Sequence, residues 1–325
     1  MRLRQKIGYA LVSAFLFATG ASAAAAYPDR PVTVVVPYAP GGATDSTARI
    51  LAQALQARAG QSFIVENAPG GGTTLGAAKV ARASADGYTL LFGGLSANVL
   101  APQLYSKVIS FDPEAIFEPV AQVASQPLIL VVNSESSYKT LDDLLAAARA
   151  KPGQINFGSP GAGSAPHLIS ELFLMEAGIE AQHIPFRGAA PSLTALIGGE
   201  IDMFMDTPTA PMPHVESGKL RALGLTSREP AAELKGIPTI HEQGVADFEA
   251  YTWFALYAPK GTPSDTLDQL NAWVNEALND EQVRQQMTRV YLYPTPGTRE
   301  ALGQYTQQER SRWAQIIKTK NLQPE

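Results

Sequence analysis

Five consecutive β-branched residues, Val32, Thr33, Val34, Val35 and Val36, lead into Pro37, Tyr38, Ala39, Pro40, Gly41, Gly42, Ala43, Thr44 and Asp45. An unbroken run of this kind suits a strand covered on both faces. Pro37 and Pro40 end the strand, and Gly41–Gly42 turns the chain without a Cβ in the way. Thr44 or Asp45 is then placed to cap a helix whose apolar face carries Ile50, Leu51 and Leu55. Such a strand needs helices on both sides, which points to an α/β fold. A helix start at the end of a buried strand also offers free N–H groups and the positive end of a dipole to an anion.

The pattern recurs. A second glycine loop spans 67–74, a third follows the strand at 88–92 as Gly93, Gly94, Leu95, Ser96, Ala97 and Asn98, and a fourth spans 158–164. Strands are expected at 61–66, 154–157, 182–185, 201–205 and 220–226, with helices between them. The rhythm predicts doubly wound parallel sheets. Long β-rich runs at 120–132, interrupted at Gln126–Pro127, and at 248–258 read as crossings between two lobes. The expected division is 27–124 plus 253–325 for lobe one and 125–252 for lobe two. Ligands of such sheets bind outside the carboxyl ends of the strands, where the glycine loops lie.

Residues 1–26 stand apart: Arg2, Arg4 and Lys6 precede a short apolar run, and small residues at 21–26 supply a cleavage site. Loss of three basic and no acidic residues would take the net charge from −5 to −8. An acidic mature chain without a basic run argues against nucleic acid as a partner. The absence of cysteine excludes disulfides and thiolate chemistry. No later apolar run is long enough to span a bilayer. The expected product is an exported, soluble periplasmic protein.

The glycine loops carry no Gly-Lys-Ser/Thr ending, no Gly-x-Ser-x-Gly elbow and no dinucleotide spacing. His167, His183, His214 and His241 are scattered along the chain, and none belongs to a zinc-protease motif. No cofactor and no metal site is therefore expected. Ser164 followed by His167 leaves a hydrolase as a remote alternative.

Taken together, these pieces resemble the receptors of tripartite tricarboxylate transporters, also called the Bug family of periplasmic solute-binding proteins. The matching segments are Tyr27-Pro28-Asp29-Arg30-Pro31, residues 36–45, residues 65–70, Asp86-Gly87-Tyr88, residues 158–164 with His167, residues 184–188, residues 218–223 and residues 258–263. The resemblance implies two lobes of the type II periplasmic-binding architecture, joined by two crossover strands around a central ligand cleft. It implies a non-enzymatic, monomeric receptor for a small organic carboxylate, working with integral membrane transporter subunits. Carried over by motif, the ligand contacts are Tyr38, Gly41, Gly42 and Asp45, faced by Ser159, Ala162, Gly163 and Ser164. Ser96 and Asn98 on the third loop, Gly188–Ala189 and Asp206 complete the set. Ala43 departs from the more common glycine, and Thr207-Pro208-Thr209 is richer in hydroxyls than the family pattern. Ligands consistent with the resemblance are dicarboxylates or tricarboxylates, including an aromatic dicarboxylate such as terephthalate. A receptor that reports to a membrane sensor kinase would share the same fold and site. Asp45 reads equally as a plain N-cap or as a residue organising waters or ligand, and Asp206 equally as a ligand contact or a strand-end acceptor. Tyr38 either stacks on a ligand or covers the cleft floor. Arg187 is read as a surface or interlobe ion-pair residue.

Overall fold

A computed structural model describes residues 27–105, 113–246, 248–320 and 322. The proposed export segment 1–26 and part of the irregular stretch 106–119 lie outside the described residues.

Among the described residues, eleven strands, numbered along the chain, form two sheets. They are β1 (Val32–Val36), β2 (Phe63–Asn67), β3 (Thr89–Gly94), β4 (Phe117–Pro127), β5 (Ile129–Asn133), β6 (Ile155–Ser159), β7 (Ala181–Pro185), β8 (Met203–Asp206), β9 (Leu220–Leu225), β10 (Tyr251–Pro259) and β11 (Tyr293–Pro294). The first lobe holds the sheet β11-β4-β10-β3-β1-β2, and the second holds β7-β6-β8-β5-β9. Neither sheet is wholly parallel. β4, β10 and β11 run antiparallel to their neighbours, as does β5 in the second sheet. β5 and β10 supply most of this mixture, because each enters its sheet from the other lobe instead of through a βαβ crossover.

The alternation of the strands distributes their side chains as the sequence requires. Val32, Val34 and Val36 pack with Leu51, Leu55, Leu90 and Phe92 on one face of the first sheet, while Val35 and Leu91 join the core on the other face. In β5, Ile129 and Val131 pack with Leu193, Leu196 and Phe204, and Leu130 and Val132 turn to the opposite core. Both sheets are therefore covered on both sides.

The long segment 120–132 is two strands, broken at Leu128, because each half belongs to a different sheet. At the crossing, Thr226 ties both chain passes together. Its Oγ1 accepts from Leu128 N at 2.8 Å and donates to Ala250 O at 2.6 Å. Its backbone donates to Leu128 O at 3.0 Å and accepts from Ala250 N at 2.9 Å.

β1 and β3 are parallel, as are β6 and β8, so their carboxyl ends gather at one edge of each sheet. These edges meet between the lobes. Ser96 Oγ accepts from Ala165 N at 3.0 Å, and Tyr105 Oη donates to Ala162 O at 3.5 Å.

Candidate functional site

The helix Ala43–Ala59 follows β1 through the first glycine loop. Neither Thr44 nor Asp45 caps it. The cap position falls on Gly42, in extended conformation, and makes no side-chain cap hydrogen bond. Instead Asp45, within that turn, reaches back: its Oδ2 accepts from Gly41 N at 2.9 Å. Asn67 Nδ2 donates to Asp45 Oδ1 at 2.9 Å and to Tyr38 O at 3.1 Å. Arg49 Nε donates to Asp45 Oδ2 at 3.0 Å, and its Nη2 meets Asn67 Oδ1 at 3.1 Å. Burial works against ionisation of Asp45, but the hydrogen bonds from Arg49, Gly41 and Asn67 outweigh it and hold the carboxyl below its ordinary value. Asp45 is thus a charged organiser of the loop. Among the described residues, no hydrogen bond within the protein reaches N–H of Gly42, Ala43, Thr44 or Asp45. Four donors at the start of a 17-residue helix remain available, with its dipole behind them.

The fourth loop is built on the same plan with other atoms. Gly163 N donates to His167 Nδ1 at 3.0 Å, four residues on, as Gly41 does to Asp45. The third loop repeats the device, with Gly94 N donating to Asn98 Oδ1 at 2.9 Å. Asn98 is consequently occupied inside its own turn. The third loop is also more ordered than its composition implies. Gly93 and Gly94 extend β3, and Leu95–Leu100 winds as a π-helical turn, a form common at functional sites.

In the second lobe, the helix Ala165–Ala177 is capped by Ser164, whose Oγ accepts from His167 N and donates to Gly161 O at 2.6 Å. The first N–H of that helix is taken by Ser96 from the other lobe. Ser159, with no exposed surface, lies beneath the loop. Its Oγ accepts from Gly161 N at 3.1 Å and meets His183 Nε2 at 2.7 Å. The rings of His167 and His183 stack at 3.8 Å between centroids and 12° between planes. Histidines far apart in sequence therefore share the floor of one loop, because β6 and β7 pair Phe157 with His183. Burial, helped by the neighbouring His183, pulls the His167 pKa down to about 3 and keeps the ring neutral. Neither serine forms a hydrolytic pair with His167, whose Nδ1 already accepts from Gly163.

Gly188 and Ala189 begin the helix Ala189–Gly198, and Gly188 N is tied to the fourth loop through Pro160 O at 3.0 Å. Asp206 ends β8, whose neighbour β6 leads into the fourth loop. It is 5% exposed and forms no ion pair among the described residues; Thr207 N donates to its Oδ1 at 2.7 Å. Burial raises its pKa to about 7 despite the bonds from Thr207. Burial lifts the Tyr38 phenol to about 12, against the opposing influence of the neighbouring Ser96 side chain. Tyr38, Gly41, Gly42, Asp45 and Ser96 thus form one group, and Ser159, Ala162, Gly163, Ser164, Gly188 and Ala189 a second that meets it at Ser96. Arg49 and Asn67 were not legible as parts of the site. The spacing of Arg49 four residues after Asp45 was the available signal.

The two mixed sheets, each with glycine loops at the edge facing the other, define the two-lobed fold of periplasmic binding proteins. R. palustris Rpa4515 with adipate has the same fold, with a TM-score of 0.87 and 32% identity, over 92% of this chain and 100% of that one. MatC of Rhodopseudomonas palustris with bound malate matches at a TM-score of 0.82 and 32% identity, over 90% of this chain and 100% of that one. The periplasmic binding protein BugD matches at 0.83 and 31%, over 92% and 100%. Protein BugT of Bordetella pertussis is 34% identical, over 95% of this chain and 96% of that protein. The pattern of the tripartite tricarboxylate transporter family receptor matches residues 47–322. The chain belongs to that family, whose members are substrate-binding receptors and not enzymes.

Proposed function

We propose that the chain is exported, loses residues 1–26, and serves in the periplasm as a receptor that closes over a small carboxylate and delivers it to membrane transporter subunits. The lobes are assigned to 27–124 plus 253–325 and to 125–252, with the crossover strands β4 and β10 reaching two or three residues past these bounds within the first sheet. A ligand carboxylate sits on the first glycine loop, against the backbone N–H groups of Gly42, Ala43 and Thr44, with Asp45 and Tyr38 shaping the seat. Ala162, Gly163 and Ser164 face it across the cleft, and Ser96, Ser159, Asn98, Gly188 and Ala189 hold the surroundings in place. Asp206 faces the part of the ligand beyond the clamped group.

The observation that carries this reading is the uncapped start of the helix Ala43–Ala59. A helix end normally finds side-chain or solvent partners for its first N–H groups, and an anion is the partner the dipole favours. Charge-assisted hydrogen bonds contribute about 1.5–3 kcal/mol each, enough for three of them to hold a small carboxylate after the costs of ordering. The adipate and malate in the two related structures are carboxylates, in keeping with this assignment.

The test is a thermal-shift and calorimetric comparison of malate, adipate and terephthalate with their neutral amides. Carboxylates should raise the melting temperature, with about 2.7 kcal/mol of stabilisation at 100 times the dissociation constant. Stabilisation by the amides alone would overturn the anion seat.

A further inference from the structure

Tyr105 follows the short helix Ala101–Leu104 that continues the π-helical turn. Its ring lies between two glycines from different lobes. A Cβ on Gly72, in the second glycine loop, would stand 2.7 Å from Cζ and 2.9 Å from Oη of this ring. A Cβ on Gly163, in the fourth loop, would stand 3.2 Å from Oη and 3.3 Å from Cε2. Both glycines have positive φ, 58° and 73°, so a side chain at either is strained; at Gly72 it would also collide with the ring, and at Gly163 the ring and Leu104 Cδ1, 3.2 Å away, would have to give by a few tenths of an ångström. The hydroxyl points to Ala162 O, next to Gly163, and three residues further on Ala165 N is held by Ser96 of the first lobe. The ring therefore lies on the seam where the lobes meet.

We propose that Tyr105 is a specificity-determining residue: its ring seats in a slot formed by one glycine from each lobe, and this limits the ligand length that closure tolerates. The inference rests on the carboxylate-receptor reading. The Gly72 half of the slot belongs to the ring's own lobe and persists when the lobes separate. The Gly163 half crosses between lobes and exists only when they meet. A ligand anchored on the first loop and long enough to reach the seam competes with the ring for this slot, so it loses the contacts that closure brings.

Calorimetric titration with succinate, adipate and sebacate tests this in wild type, Tyr105→Ala, Tyr105→Phe, Gly163→Ala and the Tyr105→Ala/Gly163→Ala double variant. Tyr105→Ala should shift preference toward the longer diacids by about tenfold, the scale of one misfitted methylene or more. Tyr105→Phe, which keeps the ring, should retain the wild-type preference. Gly163→Ala should weaken binding in wild type more than in the Tyr105→Ala background, because only the former combines backbone strain with collision against the ring. Melting temperatures of the ligand-free variants identify any that fail to fold, and Tyr105→Phe with the double-variant comparison then carries the test. An unchanged length preference in folded Tyr105→Ala, or equal effects of Gly163→Ala in both backgrounds, overturns the inference. Failure of wild type to bind any diacid instead overturns the carboxylate reading itself.

Discussion

The first and fourth glycine loops look interchangeable in sequence, yet their hydrogen bonds differ in kind. Each follows a buried strand, enters a helix, and hooks a glycine N–H onto a polar side chain four residues later. The first loop hooks onto a carboxylate braced by Arg49 and leaves the helix start open. The fourth hooks onto a neutral imidazole, caps its helix with Ser164 and gives the next N–H to Ser96. Within the fourth loop, the backbone N–H without a partner among the described residues is that of Ala162. On the carboxylate-receptor reading proposed above, the attraction for an anion is concentrated in the first lobe, and the second contributes mainly shape and closure. Counting glycines does not separate the two roles; accounting for each backbone donor does.

The two aspartates beside these loops offer the largest expected effect. Asp206 has its folded pKa raised to about 7 by burial, against an unfolded value of about 3.9. Folding therefore takes up a proton between these values, and stability falls as pH rises from about 4 to 7 before levelling. Asp206→Asn should flatten this slope and raise stability at pH 8 by up to about 4 kcal/mol, read from urea denaturation at pH 5 and 8. Equal slopes in both proteins would refute the assignment. Asp45 has the opposite sign. Its folded pKa is depressed, so its contribution is complete above the unfolded carboxylate pKa and disappears as pH falls through the folded one. Asp45→Ala should cost about 3 kcal/mol at neutral pH and weaken carboxylate binding at least tenfold, a measure of how far the open helix start depends on its brace. An affinity that survives this change would detach the brace from the seat.

His167 separates the hooks by charge. Its folded pKa lies near 3 and its unfolded value near 6.5, so its contribution is complete above about pH 6.5 and is lost as pH falls toward 3. His167→Leu, which leaves Gly163 N without an acceptor, should cost about 2 kcal/mol at pH 7. His167→Asn borrows the arrangement of Gly94 and Asn98 and should cost under about 1 kcal/mol while reducing the acid sensitivity. Equal losses for the two variants would show that the hook contributes nothing. The smallest effect belongs to Gly42→Ala. Its φ of −84° suits any residue and nothing lies within 4 Å of the new methyl, so chemical denaturation should change by less than about 0.5 kcal/mol. A larger loss would mean that the open helix start requires glycine for stability and not only for access.

Much of the architecture was written in local pattern. The β-branched run at 32–36 fixed a doubly covered strand, and the interruption at Gln126–Pro127 marked a lobe crossing to within a residue or two of the break at Leu128. The mixed character of the sheets was not legible, since strand direction depends on which lobe a strand arrives from. Caps were misread for a specific reason: Asp45 has the right chemistry for a cap, but Gly42 already makes the turn, so the carboxylate serves the residue before it. The glycine-to-polar spacing of four was visible at Gly41 and Asp45, Gly94 and Asn98, and Gly163 and His167, and only the geometry shows that it means the same thing each time. The pairing of His167 with His183 depends on two strands being neighbours, which no local window contains.

The crossing between lobes also bears on the closure that the proposed function requires. β4 and β10 are hydrogen-bonded to each other from Phe117 and Pro259 to Pro127 and Tyr251, and just beyond that ribbon Thr226 pins Leu128 to Ala250. Two tethers held side by side bend together in one direction and resist sliding or twisting against each other. In the receptor proposed above, such a crossing would make the cleft a door on a single pin: thermal agitation would be channelled into swinging, the same edges would meet at each closure, and a partner touching both rims would read the angle between them as one coordinate.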